Sequence, residues 1–414
     1  MIPAIWRKAM GKYLKRTPVF RSMCILTVII AMNQSIIADS ESENPNDPLF
    51  HNQQKLFERL NVFEAWKFTK GDPNVLIGVI DNGFDFFHPD LKGNLIPGFY
   101  ANGGYHTECP ENIIHGTLVS SIIVAKNNNK VGMTGLAPHC RILTASLGTI
   151  EHEVLKFHKK FIQDHPGASP EQIQKEISKD PEKFAKWGLD WQRYQFLGMA
   201  EAICYLVDHG AKVINISIGG WQHLILPDAD QKKIEDAFQY AASKNVVIVI
   251  AAGNTATMCE NYPGDPNTMI VAGATLLDDT RWEKETTFGE HKIKQGSDFG
   301  KRLTVMAPVE NIQVCLPHEK RFYKIEDGPM GSIEVPFGDI YDMAPSGATS
   351  SAAPIVTSLV ALVYSIRPDL DAKSVVDIIK QGCDDIGEQG FDIYTGYGRV
   401  NFGKTVKIVL VQKK

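Results

Sequence analysis

Short, almost wholly apolar runs alternate along the chain with longer segments of helical periodicity. Residues 75–80, 141–146, 213–218, 246–251, 269–274 and 303–307 have strand length and little polar alternation. Strands this apolar are covered on both faces, as in a parallel sheet. Residues 115–125, 200–208, 232–244, 350–366 and 371–380 carry helical patterns, with Gly210 closing the second and Pro368 following the fourth. The alternation predicts an α/β fold: a doubly wound, mostly parallel sheet with helices on both faces.

Two stretches exceed a minimal unit of this kind. Residues 151–197 are highly charged, and Ser169-Pro170-Glu171 and Asp180-Pro181-Glu182 each put a capping side chain before a proline at the first helical position. Gly188 would end the second helix, so a helical surface insertion is expected. Residues 279–345, rich in Gly, Asp and Lys, predict loops or a hairpin-bearing insertion. Residues 39–60 are polar, contain Pro45 and Pro48, and predict an extended arm before a domain over 61–403 and a tail over 404–414.

Composition narrows the class. The chain has 414 residues, 43% apolar and 22% charged, which suits a folded protein with a sizeable core and excludes a disordered one. The net charge is −5, and no block of Lys or Arg lies in the body of the chain, which argues against a nucleic-acid partner. Residues 1–38 hold six basic side chains and no acidic one, so the rest carries −11. An apolar run from Met23 to Met32 follows the basic stretch, as in a signal peptide cut after Ala38. The run is short of the roughly 20 residues of a spanning helix, so export without a stable membrane span is expected, with an uncleaved anchor as the alternative. Six of the seven cysteines lie beyond this leader and none form a CxxC pair, which disfavours a zinc cluster and leaves disulfides open.

Four local patterns carry chemistry. Asp81 directly follows a buried strand, the usual ligand crevice of a parallel sheet. His115 opens an apolar helix beside Gly116, which permits close approach of another chain. Ser350 stands among small residues at a helix N-terminus, where N–H groups and a partial positive charge gather. Asn254 ends a buried strand with a side-chain amide. Each alone has a plain structural reading as a cap or turn. Together they are what nucleophilic acyl transfer requires: a carboxylate orienting an imidazole, the imidazole taking a hydroxyl proton, and an amide donating to an oxyanion.

In these motifs the chain resembles the subtilisin-like serine proteases. The matching stretches are Ile80-Asp-Asn-Gly83 with His88-Pro-Asp-Leu91, His115-Gly-Thr117, Ser217-Ile-Gly219, Ala251-Ala-Gly-Asn254 and Thr349-Ser-Ser-Ala-Ala-Pro354, in the chain order Asp, His, Ser that subtilisin uses. The resemblance implies that Asp81 orients the base, His115 is the general base and acid, Ser350 is the nucleophile, and Asn254 is an oxyanion donor. It implies that Ser217, Ile218, Gly219 and Gly253 bind an extended peptide by main-chain pairing, with no cofactor needed for chemistry. It also suggests a structural Ca²⁺ near Asp90 and Asn128, where oxygen ligands suit that ion. The chain departs from the pattern in Ala348, which replaces a Gly, and in Ser351, which replaces a Met and is a rival nucleophile. The segment between Ala38 and Val75 is short for an inhibitory prodomain, and the two insertions lie outside the pattern. Two other functions compete: a binding protein that keeps the fold without turnover, and a metal-dependent hydrolase built on Asp81, Asp85, His88 and His115.

Overall fold

The computed structural model describes residues 44–101, 115–147, 160–161, 163–165, 170–219, 221, 226–288, 291–317 and 340–411. The expected signal segment lies outside them. Asn46–Lys414 forms one compact unit. Its strands in chain order are β1 (Leu76–Asp81), β2 (Leu95–Tyr100), β3 (Arg141–Ser146), β4 (Val213–Ile216), β5 (Val247–Ala251), β6 (Met269–Thr275), β7 (Glu283–Phe288), β8 (His291–Gly296), β9 (Val305–Pro308), β10 (Glu310–Cys315) and β11 (Tyr341–Ser346). Seven of them make one sheet in the order β2-β3-β1-β4-β5-β6-β9, with every pairing parallel. The sequence order reverses at β1, so the carboxyl ends of β1 and β4 border the crevice expected at such a switch point.

The helices are α1 (Phe50–Arg59), α2 (Val62–Trp66), α3 (His115–Val124), α4 (Pro170–Ile177), α5 (Pro181–Asp208), α6 (Asp228–Ser243), α7 (Thr349–Ile366), α8 (Ala372–Gly382) and α9 (Phe402–Val411). Because strand side chains alternate, the sheet feeds two cores. Val247, Val249 and Ala251 of β5 join a core with α1, α3, α7, α8 and α9. Ile248 and Ile250 face the other core, with α5 and α6. Among the described residues α7 is long and apolar enough to cross a membrane, but it is the buried central helix of the domain.

The structure corrects several expectations. Residues 39–60 are not an extended arm throughout. Phe50, Leu56 and Phe57 share one face of α1 and are buried, because that face docks on the core. The expected tail forms α9, whose Val406 and Val409 are fully buried. Gly188 does not stop its helix. Asp180 caps it as expected, its side chain accepting from Lys183 N, but the helix runs 28 residues to Asp208. No neighbour lies within 4 Å of a Cβ at Gly188, so nothing forces the chain to turn there. Strand β2 was hidden by Pro97 and Gly98, where its register against β3 shifts. A Cβ on Gly98 would sit 2.4 Å from the Thr144 carbonyl, so the glycine is what lets the strands close up. The 279–345 stretch holds the antiparallel hairpins β7–β8 and β10–β11 as well as β9. Among the described residues Cys140, Cys204, Cys259, Cys315 and Cys383 are free thiols, while Cys109 lies outside.

Candidate active site

Asp81 is the last residue of β1 and is fully buried. His115 is the first residue of α3, and its Nδ1 lies 2.8 Å from Asp81 Oδ1 and 2.9 Å from Oδ2. Gly116 makes this docking possible. Its N–H donates to the Asn82 carbonyl at 3.0 Å, and a Cβ there would strike the Gly83 carbonyl at 2.4 Å. The Asn82 N–H also donates to Asp81 Oδ1, at 2.6 Å. Burial alone would lower the His115 pKa. The charge of Asp81 and its hydrogen bond outweigh that cost, so the imidazole is held above its usual 6.5. The ring is not sealed, since 41% of its side-chain surface remains accessible.

Ser350 lies in the first turn of α7, which packs in the same core as α3. Its Oγ donates to the Ser217 carbonyl at 3.2 Å, and Ser217 Oγ donates to the Ser350 carbonyl at 2.9 Å. Ser217 directly follows β4, the neighbour of β1, so the serine is docked one strand away from the Asp81–His115 pair. Among the described residues His115 Nε2 carries no hydrogen bond, and the Ser350 hydroxyl bonds to Ser217 rather than to the imidazole. The helix explains why Ser217 can reach in. Pro354, four residues on, has no N–H to offer the Ser350 carbonyl, and the Ser217 hydroxyl supplies the missing donor. Ser217 is itself held by Asn215 Nδ2 at 3.0 Å, and Asn215 Oδ1 accepts from Thr357 Oγ1 of α7 at 3.0 Å. A buried polar chain thus ties β4 to the serine helix.

The departures at 347–351 have physical explanations. Ala348 is the N-cap at φ −111 and ψ −173, an extended conformation open to any residue. Gly347 needs to be glycine, because a Cβ would meet the Val309 carbonyl at 2.9 Å and Ser351 Oγ at 2.8 Å. The same contact shows that Ser351 points back at Gly347, whereas Ser350 points toward Ser217.

Asn254 lies beside the start of α7. Its Oδ1 accepts from Thr349 N at 3.0 Å and from Thr349 Oγ1 at 2.7 Å. Gly253 N donates to Thr349 Oγ1 at 3.2 Å. With the oxygen engaged, the Asn254 amide nitrogen is the end left to donate. Ser217, Ile218 and Gly219 run on beyond β4, and Gly219 lies so near Gly253 that an added Cβ would come 3.3 Å from the Gly253 Cα. The Ile218 carbonyl accepts from Trp221 Nε1 at 3.1 Å. Among the described residues the backbone groups of Gly219 have no partner, so this segment can pair with an extended chain.

The expected calcium ligands are engaged differently. Asp90 Oδ1 accepts from Asn129 Nδ2 at 2.6 Å and Oδ2 from Met133 N at 2.9 Å. Asn128 Oδ1 accepts from Asn46 N at 3.0 Å. In this arrangement each of these oxygens accepts an N–H group. Among the described residues no group of three or more His, Cys, Asp or Glu is placed to hold a metal ion. Nor do Asp85 and His88 join His115 in a ligand set. His88 Nδ1 accepts from Asp90 N at 3.2 Å, which leaves Nε2 to donate to the Ile340 carbonyl at 3.0 Å. Asp85 Oδ1 accepts from Phe87 N at 2.9 Å.

The subtilase family sequence pattern matches residues 72–398. The chain belongs to the subtilase family. It is a subtilisin-like serine-type endopeptidase, and its substrates are peptides. It is 26% identical over 384 residues to the thermophilic serine proteinase of Bacillus sp. (strain AK1), an alignment covering 90% of this chain and 74% of that protein. It is 25% identical over 364 residues to thermitase of Thermoactinomyces vulgaris, covering 88% and 99%. Its fold is similar to that in the crystal structure of fervidolysin from Fervidobacterium pennivorans, with a TM-score of 0.61 at 24% identity, covering 89% of this chain and 47% of that one.

Two elements of this subtilase's site were missed by sequence reasoning. Asn215 and Thr357 carried a faint signal, each a polar residue in an otherwise apolar strand or helix. Asp298, buried beside the Asn254 loop, had none, because its neighbourhood read only as an irregular insertion.

Proposed function

We propose that this subtilase hydrolyses peptide bonds through an acyl-enzyme on Ser350. The observation that carries the reading is the convergence just described: the Asp81–His115 pair, the docked Ser350 and the Asn254 amide all come to the carboxyl ends of β1, β4 and β5. His115 takes the Ser350 proton through its open Nε2 edge, and Asp81 fixes the tautomer by accepting from Nδ1. Ser350 attacks the scissile carbonyl, and the oxyanion is met by the Asn254 amide and the Ser350 N–H. His115 then protonates the leaving amine, and water repeats the cycle on the ester. The substrate strand lies along Ser217–Gly219, with Gly253 behind it. Ser217 O, which holds the serine hydroxyl here, is then free to accept from a substrate N–H, and the hydroxyl turns to His115. The basic and apolar N-terminal segment supports export of the enzyme.

Labelling with an active-site fluorophosphonate, followed by peptide mapping, tests this reading. The adduct is expected on Ser350 and is expected to vanish in His115→Ala. Wild-type protein that takes no label under conditions that label thermitase would favour a fold retained without turnover.

A further inference from the structure

Asn254 has to be held to a fraction of an ångström, yet its backbone lies in a loop. Strand β5 stops at Ala251, and residues 252–258 continue as a loop joined to 296–299 only by isolated bridges, Gly296 N donating to the Asn254 carbonyl at 3.1 Å and Ala256 N to the Gly296 carbonyl at 2.8 Å. Within the loop Gly253 has φ +110 and Ala256 φ +55, the second uncommon for a residue with a side chain. Such a turn does not hold itself.

Asp298, in the segment between β8 and β9, lies against it and is fully buried. Its Oδ1 accepts from Thr255 N at 2.9 Å, Thr255 Oγ1 at 2.8 Å and Thr257 N at 3.0 Å. Its own N–H donates to the Gly253 carbonyl at 2.9 Å. Its Oδ2 presses on Gly253 so closely that a Cβ there would come within 2.1 Å. Burying a carboxylate is costly unless donors surround it, and a carboxylate has acceptor capacity that few other side chains match. Here that capacity collects the inward-pointing donors of one turn. The grip falls on residues before and after Asn254, while Thr349 holds the Asn254 side chain from the other side.

We propose that Asp298 is a positioning residue for the Asn254 amide, fixing the 253–257 turn so that the oxyanion donor is in place before substrate arrives. The proposal rests on the reading of Asn254 as that donor. An oxyanion donor works through preorganisation, and a misplacement near 1 Å costs about 10²-fold in rate. Loosening the turn should therefore lower turnover without disturbing substrate pairing along Ser217–Gly219.

The test is a double-mutant cycle read as kcat and KM on a peptide substrate. D298A is expected to lower kcat about 10- to 100-fold with KM changed less than about threefold. D298N, which keeps an acceptor oxygen without the charge, is expected to restore most of that loss. In an Asn254→Ala background D298A should cost less than about threefold more, because the group it positions is gone. Thr255→Val, which deletes one of the three bonds to Oδ1, supplies a milder variant if D298A does not fold, and should show the same non-additivity. Equal losses from D298A or Thr255→Val in both backgrounds, with Asn254→Ala impaired alone, would overturn the positioning role. So would D298N as slow as D298A, which would point to charge instead. If Asn254→Ala leaves kcat unchanged, the oxyanion reading itself fails, and the two failures are thus distinguishable.

Discussion

At the residue scale, the Asp81–His115 contact sets both chemistry and pH behaviour. In the proposed mechanism His115 acts as a base only when neutral, and Asp81 raises the pH at which it becomes so. The acid limb of kcat/KM is therefore expected above pH 6.5. Asp81→Asn removes the raising interactions and leaves burial, which pulls the other way. Its acid limb should move below that of the wild type, with kcat lower by about 10⁴ as the tautomer is lost. A pH–rate profile of both proteins checks this, and an unmoved limb would mean that another group controls it. The same shift bears on stability. Protonated His115 stabilises the fold below pH 6.5, and the contribution fades as the pH rises through the folded value. The sequence pointed to Asp81, His115, Ser350 and Asn254 because each stands at the end of a strand or the start of a helix. It could not show that Ser350 bonds to the Ser217 carbonyl, since that bond joins residues 133 positions apart.

At the element scale, continuous apolar runs located the strands and helices that are buried on all sides. Strand β3 matches residue for residue, and α7 starts one residue earlier than expected. The failures share a cause: local signals were outweighed by packing. Gly188 is an ordinary helix stop overridden by a 28-residue helix, and Pro97-Gly98 hid an edge strand that bulges against β3. In α1 the polar composition masked a buried stripe. Phe57 sits there with ring centroids 5.1 Å from Phe50, 5.8 Å from Phe63 and 5.3 Å from Trp66. Phe57→Ala should destabilise the fold by about 3–5 kcal/mol, measured by chemical denaturation, while kcat of the folded fraction stays near wild type. A loss under about 1 kcal/mol would mean that α1 is peripheral to the domain after all. Pro354 shows the opposite case, where a residue that breaks helical bonding was legible in a motif but its purpose was not. Its missing N–H makes room for the Ser217 hydroxyl.

At the scale of the whole molecule, one parallel sheet brings distant segments to a single edge. Asp81 leaves β1, Ser217 follows β4 and Asn254 follows β5, three neighbours in the strand order. His115 and Ser350 arrive on helices that pack on the same face. Alternating strands and helices foretold that sheet, and Asp81 at the end of an apolar strand pointed to the crevice. The insertions were visible as departures from the pattern, but what they contribute was not. The strand at 303–307 was legible, but only the folded chain shows that it is the sheet edge β9 and that Asp298 of the same stretch grips the Asn254 turn. The most direct test of the whole reading is turnover in Ser350→Ala beside Ser351→Ala, each with its unfolding curve. Ser350→Ala should retain the wild-type fold and lose about 10⁶ in kcat, as removal of the nucleophile does in subtilisin, while Ser351→Ala keeps measurable turnover. Wild-type kcat in Ser350→Ala would contradict it.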